Sequence, residues 1–269
     1  MNAKAVGALA IAVVPYGLDS KVEEALFQMM AGAAAALKES GCALLGGHSC
    51  EGADLSLGFC ITGTVPLAKD PLTKGGLKPG QTLLLTKPLG TGTIFAAQMR
   101  GAAQGRWVAA ATRSMLASNA RAAQVLAAHG AKACTDVTGF GLLGHLYEVC
   151  SASQAMVRVR MGDVPLLPGA ADTVANGIFS SLQPANLRLK RAVSNEKAAL
   201  SHPAYPLLFD PQTAGGLLAA VPAEQAAACI AALRAAGYPD TAAIGEVTEM
   251  LQEGVCVPAL IECVEIGRA

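Results

Sequence analysis

Strand-length apolar runs alternate with helix-length segments from one end of this 269-residue chain to the other, which restricts it to a mixed fold in which helices pack on sheets. The first run, residues 6–14, stops at Pro15. It is too short to span a bilayer, only Lys4 adds positive charge before it and no small-x-small cleavage site follows, so it reads as a core strand and not a leader. Ser20-Lys-Val-Glu23 has the spacing of a capping box and predicts a helix over 21–39 that stops at Gly41. Residues 42–45 read as a short buried strand running into Gly46-Gly47, and 55–65 as another strand. The sharpest composition shift is 66–80, with Pro66, Pro71 and Pro79, and sets a domain boundary that divides the chain into 1–67 and 68–269. Beyond it the pattern predicts strands over 81–86, 156–160, 216–221, 242–247 and 255–261. Helices are predicted over 91–100, 107–128, 142–150 and 223–236. The expected fold class is α+β, a mixed α/β arrangement in two domains.

Composition narrows the function classes. With 52% apolar residues and 20 basic against 20 acidic side chains, the chain can bury a large core and is not disordered. It has no basic excess for a phosphate backbone to act on, so nucleic acid is not expected as a partner. No stretch approaches the ~18 uninterrupted apolar residues of a membrane span. Eight cysteines are scattered with no Cys-x-x-Cys pair, which suits reduced thiols in a cytoplasmic protein.

Four segments place glycine beside polar side chains. In Leu45-Gly-Gly-His-Ser-Cys-Glu-Gly52, glycines would let the backbone approach a ligand and aim successive amides at an anion such as phosphate. The same segment reads equally as a strand-ending turn with a hydrogen-bonded histidine. Thr135-Asp-Val-Thr-Gly-Phe-Gly141 sets one carboxylate and two hydroxyls before a helix start. Asp136 there suits a hard cation such as Mg²⁺, whereas Asp136 or Thr138 capping the helix fits the spacing slightly better, and His145 reads as a packed or surface histidine. Lys87-Pro-Leu-Gly-Thr-Gly92 and Asp210-Pro-Gln-Thr-Ala-Gly-Gly216 are explained by structural turns, and neither is a Walker A loop.

Together and in order, Gly46-Gly-His-Ser49, Leu85-Thr-Lys-Pro-Leu-Gly90, Thr135-Asp-Val-Thr-Gly-Phe-Gly-Leu-Leu-Gly-His145 and Phe209-Asp-Pro-Gln-Thr-Ala-Gly-Gly-Leu-Leu218 resemble selenophosphate synthetase, or selenide, water dikinase. The resemblance covers essentially the whole chain. It implies a reaction of ATP, selenide and water giving selenophosphate, AMP and orthophosphate, with Mg²⁺ at the phosphates. It also implies a two-domain, aminoimidazole-ribotide-synthetase-like architecture, in which the N-terminal halves of two subunits pair into a shared β-barrel and nucleotide sits near the dimer interface. Gly47, His48 and Ser49 match the segment that contacts ATP, and Asp136 matches a magnesium ligand.

The resemblance also implies a glycine-rich loop with a reactive cysteine or selenocysteine and a lysine, and further aspartates, upstream of Met1. On that basis the N-terminal domain is expected to be incomplete, none of the eight cysteines is catalytic, and the chain alone is expected to be inactive. Losing even single electrostatic contacts at such sites costs about 10²- to 10³-fold in rate. A selenocysteine codon read as a stop would produce such a start. So would a segment cut from a fusion with a flavin-dependent oxidoreductase, a partner known from the family. The alternative is a non-catalytic binding or scaffold relative that docks on a full-length partner. Apolar strands without their neighbours further predict a homodimer or higher oligomer.

Overall fold

The computed structural model describes residues 3–65, 71–251 and 260–264. Contacts divide the chain into two compact units, Asn2–Pro71 and Leu72 onward. In the first, β1 (Lys4–Pro15) lies at the centre of a three-stranded sheet, parallel to β2 (Ala43–Gly52) and antiparallel to β3 (Ser56–Thr64). Helix α1 (Asp19–Glu39) makes the crossover that a parallel pair needs. The two-residue period of β1 separates its faces: Ala8, Ala10, Ala12 and Val14 are buried, whereas Leu9 and Ile11 stay exposed. Ala8 packs with Leu37 of α1 and with Cys42.

Two local expectations fail in this unit. The Ser20–Glu23 capping box does not form, because α1 starts earlier: the Leu18 carbonyl already accepts from the Lys21 and Val22 amides, at 2.8 and 3.1 Å, which puts Ser20 inside the first turn. Nor is the strand at 42–45 short and buried. β2 continues through Gly46 and Gly47 to Gly52, with a register shift against β1 at Leu45, and at the edge of the three described strands it leaves its side chains exposed.

The second unit contains, in chain order, β4 (Gln81–Leu85), α2 (Thr91–Met99), α3 (Gly105–Leu116), α4 (Ala120–Ala128), β5 (Cys134–Asp136), α5 (Gly141–Ser153) and β6 (Ala155–Arg160). The short helices α6 (Ala170–Ala175), α7 (Gln183–Asn186) and α8 (Glu196–Ala199) come next, then β7 (Leu217–Pro222), α9 (Ala223–Ala235), β8 (Ala242–Met250) and β9 (Ile261–Val264). The strands form one sheet in the order β5-β7-β4-β8-β6-β9, antiparallel except for the β6–β9 pair. Both faces are covered, which is why residues 83–85 of β4 and 217–221 of β7 read as unbroken apolar runs. Leu83, Leu85, Leu218 and Ala220 pack on one side with Leu142, Leu143 and Leu146 of α5. Leu84, Ala219 and Val221 pack on the other with Leu126 of α4 and Leu233 of α9.

The single helix expected over 107–128 is two helices, α3 and α4, although no proline or glycine marks the break. Tertiary partners hold the connection open. Lys87 Nζ donates to the Ala117 carbonyl, the Tyr238 hydroxyl donates to the Ser118 carbonyl, and Asn119 Nδ2 donates to the Gly215 carbonyl. Of the strand expected over 255–261, residues 255–259 lie outside the described residues and Ile261 opens β9. Among the described residues no helix is long and apolar enough to cross a membrane.

Candidate functional site

Gly47, His48 and Ser49 occupy successive positions of β2, opposite Ala10, Ile11 and Ala12 of β1, and all three are exposed. Consecutive residues of a strand point to opposite faces, so His48 projects from one side of the sheet and Ser49 from the other. The same extension defeats the anion cradle expected here, since successive amides of a strand point in opposite directions. Gly47 has a different purpose. At φ +151°, a Cβ on it would lie 1.9 Å from the Ala10 carbonyl oxygen, so only glycine lets β2 close onto β1 at this point.

Asp136 lies in the second unit, at the last residue of β5. Its carboxylate is exposed and makes no hydrogen bond or ion pair with the described residues. The capping alternative is eliminated, because α5 has no side-chain cap and its first turn carries no acidic residue. The loop from Val137 to Phe140 is held almost entirely from outside. The Gln212 amide donates to the Thr138 carbonyl at 2.9 Å, the Val137 amide to the Gly216 carbonyl at 2.9 Å, and Asn186 Nδ2 to the Gly139 carbonyl at 2.8 Å. Glycines allow this interlock: a Cβ on Gly215 would lie 2.1 Å from the Val137 oxygen, and one on Gly141, at φ +69°, would lie 2.8 Å from the Phe209 carbonyl carbon.

The 210–216 segment is tied in turn to the start of α2. Gln212 Oε1 accepts from the Gly90 and Thr91 amides and from the Thr91 hydroxyl, and Asp210 Oδ2 accepts from the Gly92 amide. Asp210 is fully buried, and burial pushes its carboxyl up to about 7 against the pull of the Gln212 and Gly92 hydrogen bonds. Lys87 Nζ donates to the Ala117 and Ala214 carbonyls without a carboxylate partner among the described residues, and burial lowers it to about 8. A cleft of about 420 Å³ opens beside Gly139, lined also by Thr91, Phe95, Met115, Ser180 and Thr213.

His145, one turn into α5, is 5% exposed. Its Nε2 lies 3.1 Å from the Thr138 hydroxyl, and its Nδ1 lies 3.2 Å from Glu148 Oε2, which also accepts from Lys74 Nζ at 2.8 Å. Burial lowers its pKa against the opposing pull of Glu148 and Asp136. The ring therefore packs, as expected, but it also links the Asp136 loop to its own helix. Gln212, Asn186 and His145 all act on this loop and none was assigned a role from sequence. The one available signal for Gln212 was its place within Asp210-Pro-Gln-Thr.

Residues 78–255 match the family model described as AIR synthase related protein, C-terminal domain. The selenide, water dikinase of Myxococcus xanthus (strain DK1622) is 38% identical over 249 residues, 92% of this chain and 69% of that protein. The chain belongs to the selenide, water dikinase family. The family's protein from Pelobacter propionicus (strain DSM 2379 / NBRC 103807 / OttBd1) is 39% identical over 221 residues, covering 82% of this chain and 63% of that relative. This selenide, water dikinase family chain thus spans roughly two thirds of the curated relatives' length. Hydrogenase maturation protein HypE, solved in complex with ATP, shares the fold, with a TM-score of 0.71 at 19% identity over 97% of this chain and 71% of that one. The expectation of an α+β, AIR synthase-like fold is met.

Proposed function

We propose that the chain supplies nucleotide- and Mg²⁺-binding residues for the family reaction, in which ATP, selenide and water give selenophosphate, AMP and orthophosphate. The observation that carries this reading is the Asp136 carboxylate, left exposed and unpaired at a strand end by a loop whose backbone is held by other segments. No cluster of three His, Cys, Asp or Glu side chains exists among the described residues, so a closed protein cage for a metal is not what the donor set suits. Mg²⁺ commonly takes one or two carboxylates and completes its shell with water and substrate phosphates, and Asp136 fits that role. When bound, the ion would neutralise charge on the polyphosphate.

The remaining work falls to the protein's own groups. The start of α5 carries no side-chain cap and lies next to the Asp136 loop in sequence, where its helix dipole would favour an anion. Gly47, His48 and Ser49 would contact nucleotide through side chains and the open edge of β2, not through a cradle of amides. We assign residues 1–67 to nucleotide binding and dimerisation and 68–269 to the C-terminal domain. A homodimer is supported by apolar side chains left exposed on the three-stranded sheet, among them Leu9, Ile11, Leu57, Phe59 and Ile61. A cytoplasmic location accords with the scattered, unpaired thiols.

Calorimetric titration with ATP tests the reading. Binding to the 269-residue polypeptide should require Mg²⁺ and weaken at least tenfold in Asp136→Asn. Binding unaffected by both EDTA and Asp136→Asn would remove Asp136 from the site. In phosphorus NMR with selenide, the same polypeptide alone should form no selenophosphate. Accumulation of selenophosphate would overturn that expectation of inactivity and with it the scaffold alternative.

A further inference from the structure

The backbone of the Asp136 loop is already fixed by Gln212, Gly216 and Asn186, so the contact between His145 and the Thr138 hydroxyl is not needed to shape the main chain. Its effect is on one side chain, and the chemistry of the pair decides what that effect is. Glu148 Oε2, which accepts from Lys74 Nζ, lies 3.2 Å from Nδ1 without the alignment of a hydrogen bond, and its negative charge favours the tautomer with hydrogen on that nitrogen. Nε2 is then an acceptor, and the hydroxyl 3.1 Å away must donate to it. With its hydrogen committed to the ring, the oxygen of half-buried Thr138 has only lone pairs left for other partners.

We infer that His145 is a positioning residue which, through Thr138, provides a second oxygen acceptor two residues from Asp136 for the water shell of a divalent cation. The chain Lys74–Glu148–His145–Thr138 fixes that oxygen's polarity: a freely rotating hydroxyl would present its hydrogen to the cation's surroundings part of the time. The arrangement parallels the general behaviour of metal sites, where groups that orient the ligating atoms contribute nearly as much to affinity as the ligands. It rests on the reading of Asp136 as the carboxylate for Mg²⁺.

The test uses the full 269-residue chain with Mn²⁺ as the probe, its binding followed by the loss of the free-ion electron spin resonance signal in the presence of ATP. Thr138→Val keeps the shape and removes the hydroxyl, His145→Ala removes the acceptor, and His145→Gln offers a carbonyl oxygen in its place. Thr138→Val and His145→Ala should each weaken Mn²⁺ binding about tenfold. The double variant should be no weaker than either single one, since both break the same link. His145→Gln should recover most of the affinity, a rescue that a packing role for the imidazole does not predict. Wild-type affinity in folded Thr138→Val, additive losses in the double variant, or no rescue by glutamine would each overturn the inference. Asp136→Asn separates the two levels: unchanged Mn²⁺ binding in that variant overturns the underlying reading itself.

Discussion

Asp210 allows a quantitative test of how the loops beneath the candidate site are held together. The side chain is fully buried; Oδ2 accepts from Gln212 Nε2 at 2.9 Å and from the Gly92 amide at 3.2 Å, while Oδ1 meets no donor in hydrogen-bonding geometry. Burial raises the carboxyl from 3.8 to about 7 in the folded protein. The folded state therefore binds a proton more tightly than the unfolded chain, and stability is lost as pH rises from about 4 to about 7, then levels off. At ~1.36 kcal/mol per pKa unit, the total loss over that window is about 4 kcal/mol. Asp210→Asn keeps the shape and cannot ionise, so its stability relative to wild type should improve by about 2–3 kcal/mol between pH 5 and pH 7.5. Urea unfolding of both proteins at the two pH values measures this directly, and other carboxylates cancel in the difference. A gap between variant and wild type that stays constant across the two pH values would show that Asp210 is already ionised at pH 5, and the reasoning from burial would fail.

Three further outcomes are expected. Gly215→Ala brings a Cβ to 2.1 Å of the Val137 oxygen and should displace the Asp136 loop, lowering Mn²⁺ affinity more than it lowers the melting temperature of the unit. Leu146→Ala empties a fully buried position between α5 and the sheet and should cost about 2–5 kcal/mol in chemical denaturation. Thiol titration of the native chain at pH 8 should label Cys50 and Cys60 quickly and leave the buried Cys134, Cys150, Cys229 and Cys263 unreacted until unfolding, since burial pushes those four thiols up to about 11 or 12.

Elements whose side chains face a packed layer were legible, because burial writes itself into the residue pattern. β1, β4, β7 and α5 lie within two or three residues of their expected positions. Legibility failed where a partner distant in sequence decides the outcome. Ala117-Ser-Asn119 holds no proline or glycine, and its one local device is the Ser118 hydroxyl accepting from the Ala120 amide; the break is held chiefly because Lys87, Tyr238 and Gly215 bond its backbone and the Asn119 side-chain amide. The Gly46-Gly47 pair is a turn signal by composition, yet the close approach of Ala10 makes Gly47 a condition for continuing the strand. At the candidate site, the motif 135–141 was visible as chemistry, but its supports were not, since Asn186 and Gln212 carry no periodic or spacing signal.

Those hidden supports bear on why Asp136 is free at all. An aspartate in a turn usually satisfies nearby amides of its own loop, as in an Asx turn or a helix cap. Such a carboxylate is stabilised where it stands and is a poorer ligand. Here the loop's polar backbone atoms find partners elsewhere: Asn186 serves Gly139, Gln212 serves Thr138, and Gly216 serves Val137. The supporting loop is satisfied in the same manner, with Lys87 on the carbonyl of Ala214, whose φ of +48° is unusual for a residue with a Cβ, and Asn119 on the carbonyl of Gly215. Buried backbone groups have to be paired, and in this fold the pairing is delegated to amides, a carbonyl and an ammonium from elsewhere in the chain. The glycines let the two loops approach closely enough for that delegation. The consequence is a carboxylate that makes no hydrogen bond or ion pair among the described residues, the condition under which the proposed role toward a cation and a polyphosphate is open to it.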